Sequence, residues 1–311
     1  MQLTIAAAIV SPAVVQAQDF PSKTVRIVTT DVGGSNDTIS RLLANALAGP
    51  LGQSVIVENS SSGVIPNQTV ARAEPDGHTL LVTGSSMWIG TVFREAPYDP
   101  LQDFTPIILV SQDANVLVVH PSLPVNSVQE LIDYAKARPG ELNYAATSVG
   151  GSMHLAAEMF TSMADIDVVR INYSGGSAAR TDLMAGNVQM GIIGADSALP
   201  LVDSGKLKAL GVTTLDPTEL VPDLPPISGA LPGYEVVAYT AVLAPPGTPA
   251  EIINRLNEEI NRVLNDPENK KILLGLNHEV IGGAPSVLEA RMKSDLERWS
   301  ALVEKAGIKL E

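Results

Sequence analysis

Four short segments bring together residue types that could hold an anion: Gly33-Gly34-Ser35, Gly150-Gly151-Ser152, Gly175-Gly176-Ser177 and Ala195-Asp196-Ser197. Each follows an apolar, strand-like run and precedes a run with helical spacing. The first N–H groups of a helix lack partners inside it, and the helix dipole makes that end partly positive. Glycine lets a ligand come close to the backbone there. Any one Gly-Ser turn is equally well explained as ordinary capping. Repetition is the informative feature, because in open α/β sheets such turns gather at the carboxyl ends of the strands, where ligands bind.

Other chemistries find no footing. The chain has no Gly-x-Ser-x-Gly elbow, no Walker loop and no Gly-x-Gly-x-x-Gly that opens a helix after a strand. Cysteine is absent, which removes disulfides, thiolate nucleophiles and zinc–thiolate sites. The histidines His78, His120, His154 and His278 are far apart with no i,i+4 pair, so no metal site is expected. His154, Asp31, Asp37 and Asp196 are the candidate acid–base groups. Ser152 and His154, two apart at a helix start, do not face each other, so no nucleophile with an oriented base is found. The expectation is a binding protein with no catalytic residue, metal or cofactor. A hydrolase or isomerase on the same scaffold is the alternative.

The elements that must position these turns alternate in type. Residues 24–29, 54–58 and 78–83 read as strands, with helical patterns at 39–50 and 66–73 between them. A second series runs from a strand at 115–120 through a helix at 127–136, where Ser127 with Glu130 forms a capping box. Strands at 143–146, 167–173, 188–193 and 208–213 follow, then a Pro- and Gly-rich loop at 216–233. A strand at 236–244 and helices at 249–264 and 285–305 close the chain, the helices expected to pack on the first half. Strand–helix alternation of this kind indicates α/β domains with largely parallel sheets. At about 100–200 residues per domain, 311 residues suggest two. The formal net charge of −14 offers no basic face for nucleic acid. At the N-terminus, the apolar run before Val15-Gln16-Ala17 has the form of a signal peptide, with the mature chain starting near Gln18.

At the level of motifs the chain resembles the periplasmic solute-binding proteins of the tripartite tricarboxylate transporter type, the Bug or TctC-like family. The resemblance rests on Val25-Arg26-Ile27-Val28 through Gly33-Gly34-Ser35-Asn36-Asp37, on Pro75-Asp76-Gly77-His78-Thr79 and on Pro97-Tyr98-Asp99-Pro100. It continues with Pro139-Gly140, Gly151-Ser152-Met153-His154-Leu155, Leu231-Pro232-Gly233-Tyr234-Glu235 and Ala244-Pro245-Pro246-Gly247-Thr248-Pro249, in order along the mature chain.

The resemblance implies a two-lobed α/β "Venus flytrap" of the type II-like periplasmic binding protein class, its domains joined by two crossovers. Residues 1–17 would be the signal peptide, 18–113 with 242–311 the first lobe, and 114–241 the second. It further implies a periplasmic receptor for a small di-, tri- or aromatic carboxylate that passes to a membrane permease, or is reported to a sensor kinase; a monomer is expected. The implied site comprises Asp31, Gly33, Gly34, Ser35 and Asn36 from the first lobe, with Ser85 and Ser86 after the third strand. Thr147, Ser148, Gly150, Gly151, Ser152, His154, Ser177, Asp196 and Ser197 follow from the second lobe, and Tyr239 from the crossover. Two departures bear on the ligand. Asp31 stands where an anion is expected, and caps its turn, meets a cationic group or points away. Ser174 replaces the family's lysine, while Arg180 one turn on either restores that charge or faces solvent.

Overall fold

The structure, a computed structural model, describes residues 20–30, 32–60, 64–146, 152–173 and 175–306, without the side chains of 152, 153, 305 and 306. The expected signal peptide lies outside these residues. Strands β1 (Val25–Thr29), β2 (Val55–Asn59), β3 (Thr79–Gly84) and β4 (Thr105–Gln112) come first. They are followed by β5 (Asn115–Val119), β6 (Asn143–Ala146), β7 (Val169–Asn172), β8 (Met190–Gly194) and β9 (Lys208–Val212). The last two are β10 (Tyr239–Ala244) and β11 (Glu279–Val280). The helices are α1 (Ser35–Leu51), α2 (Val64–Ala71), α3 (Ser86–Ile89), α4 (Val128–Lys136) and α5 (Ser152–Ala164). Then come α6 (Gly176–Ala185), α7 (Ala195–Asp203), α8 (Ala250–Asn265), α9 (Pro267–Gly275) and α10 (Pro285–Ala306).

Two sheets form, β11-β4-β10-β3-β1-β2 and β7-β6-β8-β5-β9, so the fold is the expected two-lobed α/β architecture. Each lobe has the same plan. In each sheet parallel strands flank an internal antiparallel strand, which is the one the chain enters on crossing from the other lobe; the short edge strand β11 also runs antiparallel, beside β4. Thus β10 runs between β3 and β4, and β5 between β8 and β9. Gly84 at the end of β3 pairs with Thr240, and Gly194 at the end of β8 pairs with Asn115. The carboxyl ends of the parallel strands in both sheets therefore lie at the edge where the chain crosses, and face each other over a cleft.

Two sequence expectations change here. The boundary at 241/242 falls inside β10, all of which pairs with β4 from Tyr239↔Gln112 to Ala244↔Thr105. The return crossing precedes Tyr239, because Val236 still donates its N–H to Thr213 of the second lobe. The C-terminal helices also divide their packing. Helix α8 buries Ile253, Leu256 and Ile260 against Ile39, Leu43 and Val110 of the first lobe. Helix α10 carries one inward stripe, Leu288, Met292, Asp295, Trp299 and Leu302, at helical spacing. Its first half joins the first-lobe core around Trp88, and Trp299 and Leu302 join the second-lobe core with Phe160 and Tyr234. One helix is rooted in both lobes.

A fully buried carboxylate in that stripe needs compensation. Asp295 accepts from Trp88 Nε1 at 2.9 Å and from Arg298 at 3.0 Å. Beside it Glu235, on the return crossover, accepts from Arg291 at 2.6 Å, from Arg298 at 3.1 Å and from the Tyr239 hydroxyl at 2.9 Å. Burial pulls the Glu235 carboxyl upward, but Arg291, Tyr239 and Arg298 outweigh it and hold it below its ordinary range. At Asp295 burial prevails and the carboxyl stays above its ordinary range. Replacing Arg291 with Met removes one of the two guanidinium groups that hold Glu235 and leaves Arg298 and Tyr239, at a cost of about 1.5–3 kcal/mol for the lost charged hydrogen bond. Urea unfolding should show that loss, and Glu235→Gln combined with Arg291→Met should recover much of it. A loss no larger than that of an exposed ion pair would show that water reaches the cluster.

Candidate ligand-binding cleft

Strand order ranks the cleft turns by distance from the hinge. Nearest β10 and β5 are the ends of β3 and β8, carrying Gly84, Ser85 and Ser86 on one side and Asp196 and Ser197 on the other. Next are the ends of β1 and β6, leading into α1 and α5. Outermost are the ends of β2 and β7, and β7 leads into α6.

Three of the helices that begin at this edge start from glycine, which offers no side-chain acceptor: Gly34 before α1, Gly175 before α6 and Gly194 before α7. Helix α4, which follows an antiparallel strand and so begins at the opposite edge, is capped as its capping box predicts, with Ser127 accepting the Glu130 N–H. Cleft-side amides are thus left to other acceptors, which suits an anionic ligand. Gly33 has φ +82°, a left-handed conformation that an L side chain rarely adopts. Gly33, Gly34, Ser35 and Ser86 are exposed there, and Asn36 is half-buried.

The β1–α1 turn is held from beneath. Asp37 is buried and accepts from the Gly33 N–H at 2.8 Å, from Asn59 at 2.9 Å and from Arg41 at 2.9 Å. Asn59 also donates to Thr30 O at 2.8 Å. Burial alone would raise the Asp37 carboxyl, whereas the Gly33 amide, Arg41 and Asn59 together bring it below its usual value. Asp37 therefore serves as a brace for the turn. Asn59 was not among the residues expected from sequence; its place at the end of the strand beside β1 was the available signal.

Other expected site residues turn inward. Tyr239 is 2% exposed, its hydroxyl donates to Glu235, and Arg291 lies over its ring. Its backbone alone meets the cleft turn: Ser85 N–H donates to Tyr239 O, and Tyr239 N–H donates to Ser85 Oγ. Ser85 is buried and its hydroxyl is spent on this brace. His154 is likewise 2% exposed, receiving a hydrogen bond from Arg170 at 2.6 Å with Glu158 at 3.4 Å. The reason is packing: α5 lies over β6 and β8, so this face of the helix points to the sheet, where the Arg170 side chain reaches it from β7. His154, against burial, and then the Tyr144 hydroxyl hold the Glu158 carboxyl below its ordinary range. Ser177 and Asp196 are exposed at their helix starts, and Ser197 is half-buried. Asp31, Thr147, Ser148, Gly150 and Gly151 lie outside the described residues, and Ser152 opens α5.

Comparison with known proteins agrees with this architecture. The family model described as the tripartite tricarboxylate transporter family receptor matches residues 39–308. Protein BugT of Bordetella pertussis is 32% identical, over 96% of this chain and 93% of its own. Among solved structures, R. palustris Rpa4515 with adipate is 33% identical at a TM-score of 0.72, covering 94% of this chain and all but 1% of that one (99%). MatC from Rhodopseudomonas palustris with bound malate is 30% identical at a TM-score of 0.68, covering 91% and 100%.

At the hinge end of the cleft Asp113 laces the two crossovers together. Its Oδ1 accepts the Ala238 N–H at 2.7 Å, and its own N–H donates to Ala238 O at 2.9 Å. Burial pushes the carboxyl up to about 6, against the Ala238 hydrogen bond and with help from the charge of Asp196. Because the folded-state value is the higher one, the folded protein holds a proton that the unfolded chain has lost between the two values. Stability therefore falls as pH rises through that window, and the penalty is complete above it. Asp113→Asn keeps an acceptor for Ala238 and removes the charge. It should stabilise the protein by about 1 kcal/mol near pH 8, after discounting for partial solvation, and by nothing near pH 4. Melting curves of the two proteins across that range check it; a difference independent of pH would show that Asp113 does not titrate there.

Proposed function

The chain belongs to the tripartite tricarboxylate transporter family of receptors, and on that premise we propose that it is a periplasmic, non-enzymatic receptor for a small carboxylate. It binds its ligand between the lobes and presents it to a membrane permease. The observation that carries this reading is the set of glycine-started helices at the facing edges of two lobes. Adipate and malate, held by the two related structures, are small carboxylates. Among the described residues no helix is long and apolar enough to cross a membrane.

The energetics are adequate without a deep salt bridge. Micromolar binding requires about −8.2 kcal/mol. A partly buried helix N-terminus supplies up to about 2 kcal/mol, and a hydrogen bond to a charged group about 1.5–3 kcal/mol. Two helix ends with three or four such bonds reach that figure before ordering costs. Closure of the lobes completes the set, since donors come from both sides.

A thermal-shift series with mono-, di-, tri- and aromatic carboxylates tests the reading. A true ligand at 100 times its Kd adds about 2.7 kcal/mol, which moves the melting temperature by several degrees. Small-angle scattering at saturation should then show a smaller radius of gyration. If no carboxylate shifts the midpoint or the scattering curve, the carboxylate-receptor reading fails.

A further inference from the structure

The lobes are also tied together on the side of the hinge away from the cleft. The edge strand β11 lies beside β4 in the register Glu279↔Gln112, which brings the Glu279 carboxylate to the point where the chain leaves the first lobe. Gln112 donates to its Oε2 at 2.8 Å. Its other donors come from the second lobe. The Thr218 hydroxyl donates to Oε2 at 2.8 Å, and the Glu219 N–H donates to Oε1 at 3.0 Å.

The second-lobe side of this tie is firmly placed. Thr218 and Glu219 lie in the loop after β9, and Val221 anchors that loop in the second-lobe core with Val116 and Val212. Thr218 is 3% exposed although it belongs to a loop. Its hydroxyl accepts from the Leu220 N–H at 3.2 Å and spends its proton across the lobes. The three donors to Glu279 are all neutral groups. A half-buried carboxylate held this way can exchange its partners for water without stranding a counter-charge, which an Arg or Lys partner would not allow. The tie can therefore be released.

Strand order gives it leverage. The cleft turns follow β3, β1 and β2 in one lobe and β8, β6 and β7 in the other, all on one side of the crossovers. Strands β11 and β9 stand on the other side. A rotation about the crossovers that brings β2 and β7 together must draw β11 away from the loop after β9. Strand β11 stands one strand spacing, about 4.8 Å, behind β4, whereas β2 stands three spacings, about 14 Å, ahead of β10. Lengthening the 2.8 Å Thr218 bond by about 1 Å carries it beyond hydrogen-bond range, and accompanies a closure of about 3 Å at β2.

We propose that Glu279 is the latch of a conformational device behind the hinge: it holds the lobes at their present separation and releases Thr218 and Glu219 when the cleft closes further. Removing it shifts the balance between the two arrangements toward the closed one, with no contact to the ligand.

The test needs no ligand, so its outcome is independent of the carboxylate-receptor reading. The chain has no cysteine, so Glu58→Cys accepts a single nitroxide at an exposed position near the cleft end of β2. Paramagnetic relaxation of the β7 amides then reports the population-weighted share of closed molecules. Glu279→Ala should raise the closed-state contribution to that relaxation by about tenfold, as loss of a charged hydrogen bond implies. Thr218→Val should raise it less, because the Glu219 N–H bond remains, and Glu219→Ala, which keeps that N–H, should leave it unchanged. Relaxation at wild-type values in both Glu279→Ala and Thr218→Val overturns the proposal. A lower melting temperature without a change in relaxation overturns it too, since Glu279 then only anchors the loop. A rise with Glu219→Ala equal to that with Glu279→Ala would assign the effect to charge in the loop and likewise overturn the latch. Should Glu279→Ala fail to fold, Thr218→Val decides alone.

Discussion

The chain reaches β10 only after building the second lobe, yet β10 is the strand that joins β3 to β4 and is buried along its length. Without it β3 and β4 would face each other across an unpaired gap, leaving buried backbone groups without partners. The first sheet is therefore completed only when the chain has returned. The second sheet depends on the outgoing crossover in the same way, through β5. Each crossing strand runs antiparallel beside the carboxyl end of a parallel one, and this brings the cleft turns of both lobes to the same place. The meeting of these turns between the lobes is a consequence of how the two sheets exchange strands.

The same crossover carries an ionic cluster that ties the hinge to the C-terminal helix. Glu235 leads into β10 and is held by Arg291 and Arg298 from α10, while Asp295 on that helix reaches Trp88 on α3. Buried charge pairs contribute less to stability than their geometry suggests, because desolvation offsets most of the attraction. Their effect here is positional. Tyr239, fixed through Glu235, brackets Ser85 from both backbone directions and so sets where the β3 turn meets the cleft. With α10 packed into the cores of both lobes, relative motion must pivot about that helix and the two crossovers.

Charge is laid out along the cleft although the chain as a whole is strongly acidic. Asp37 and Arg41 neutralise one another beneath the β1 turn, as do Glu158 and Arg170 beside α5. At the hinge Asp113 and Asp196 remain, and helices α1, α6 and α7 start from glycine.

Much of the protein was legible in one dimension. Period-two and helical spacing located most strands and helices, Ser127 with Glu130 announced a cap that forms as expected, and the motif order pointed to the family. These features depend on residues within a turn of each other, so local chemistry is sufficient. Helix α9 was not among the expected elements although Asp266 before Pro267 is a start signal, and a two-residue strand such as β11 leaves no pattern to read. Side-chain direction at element ends was decided by tertiary contacts. Tyr239 and His154 sit at positions that looked open to the cleft, yet their partners Arg291 and Arg170 arrive from other elements and draw them inward. The inward stripe of α10 predicts burial for Asp295, but its partner Trp88 is 207 residues away, and no periodicity reports a contact at that range. Sequence specified the elements because their hydrogen bonds are local; only the folded chain, by choosing long-range partners for each charge, decided which polar groups brace the cleft and which face it.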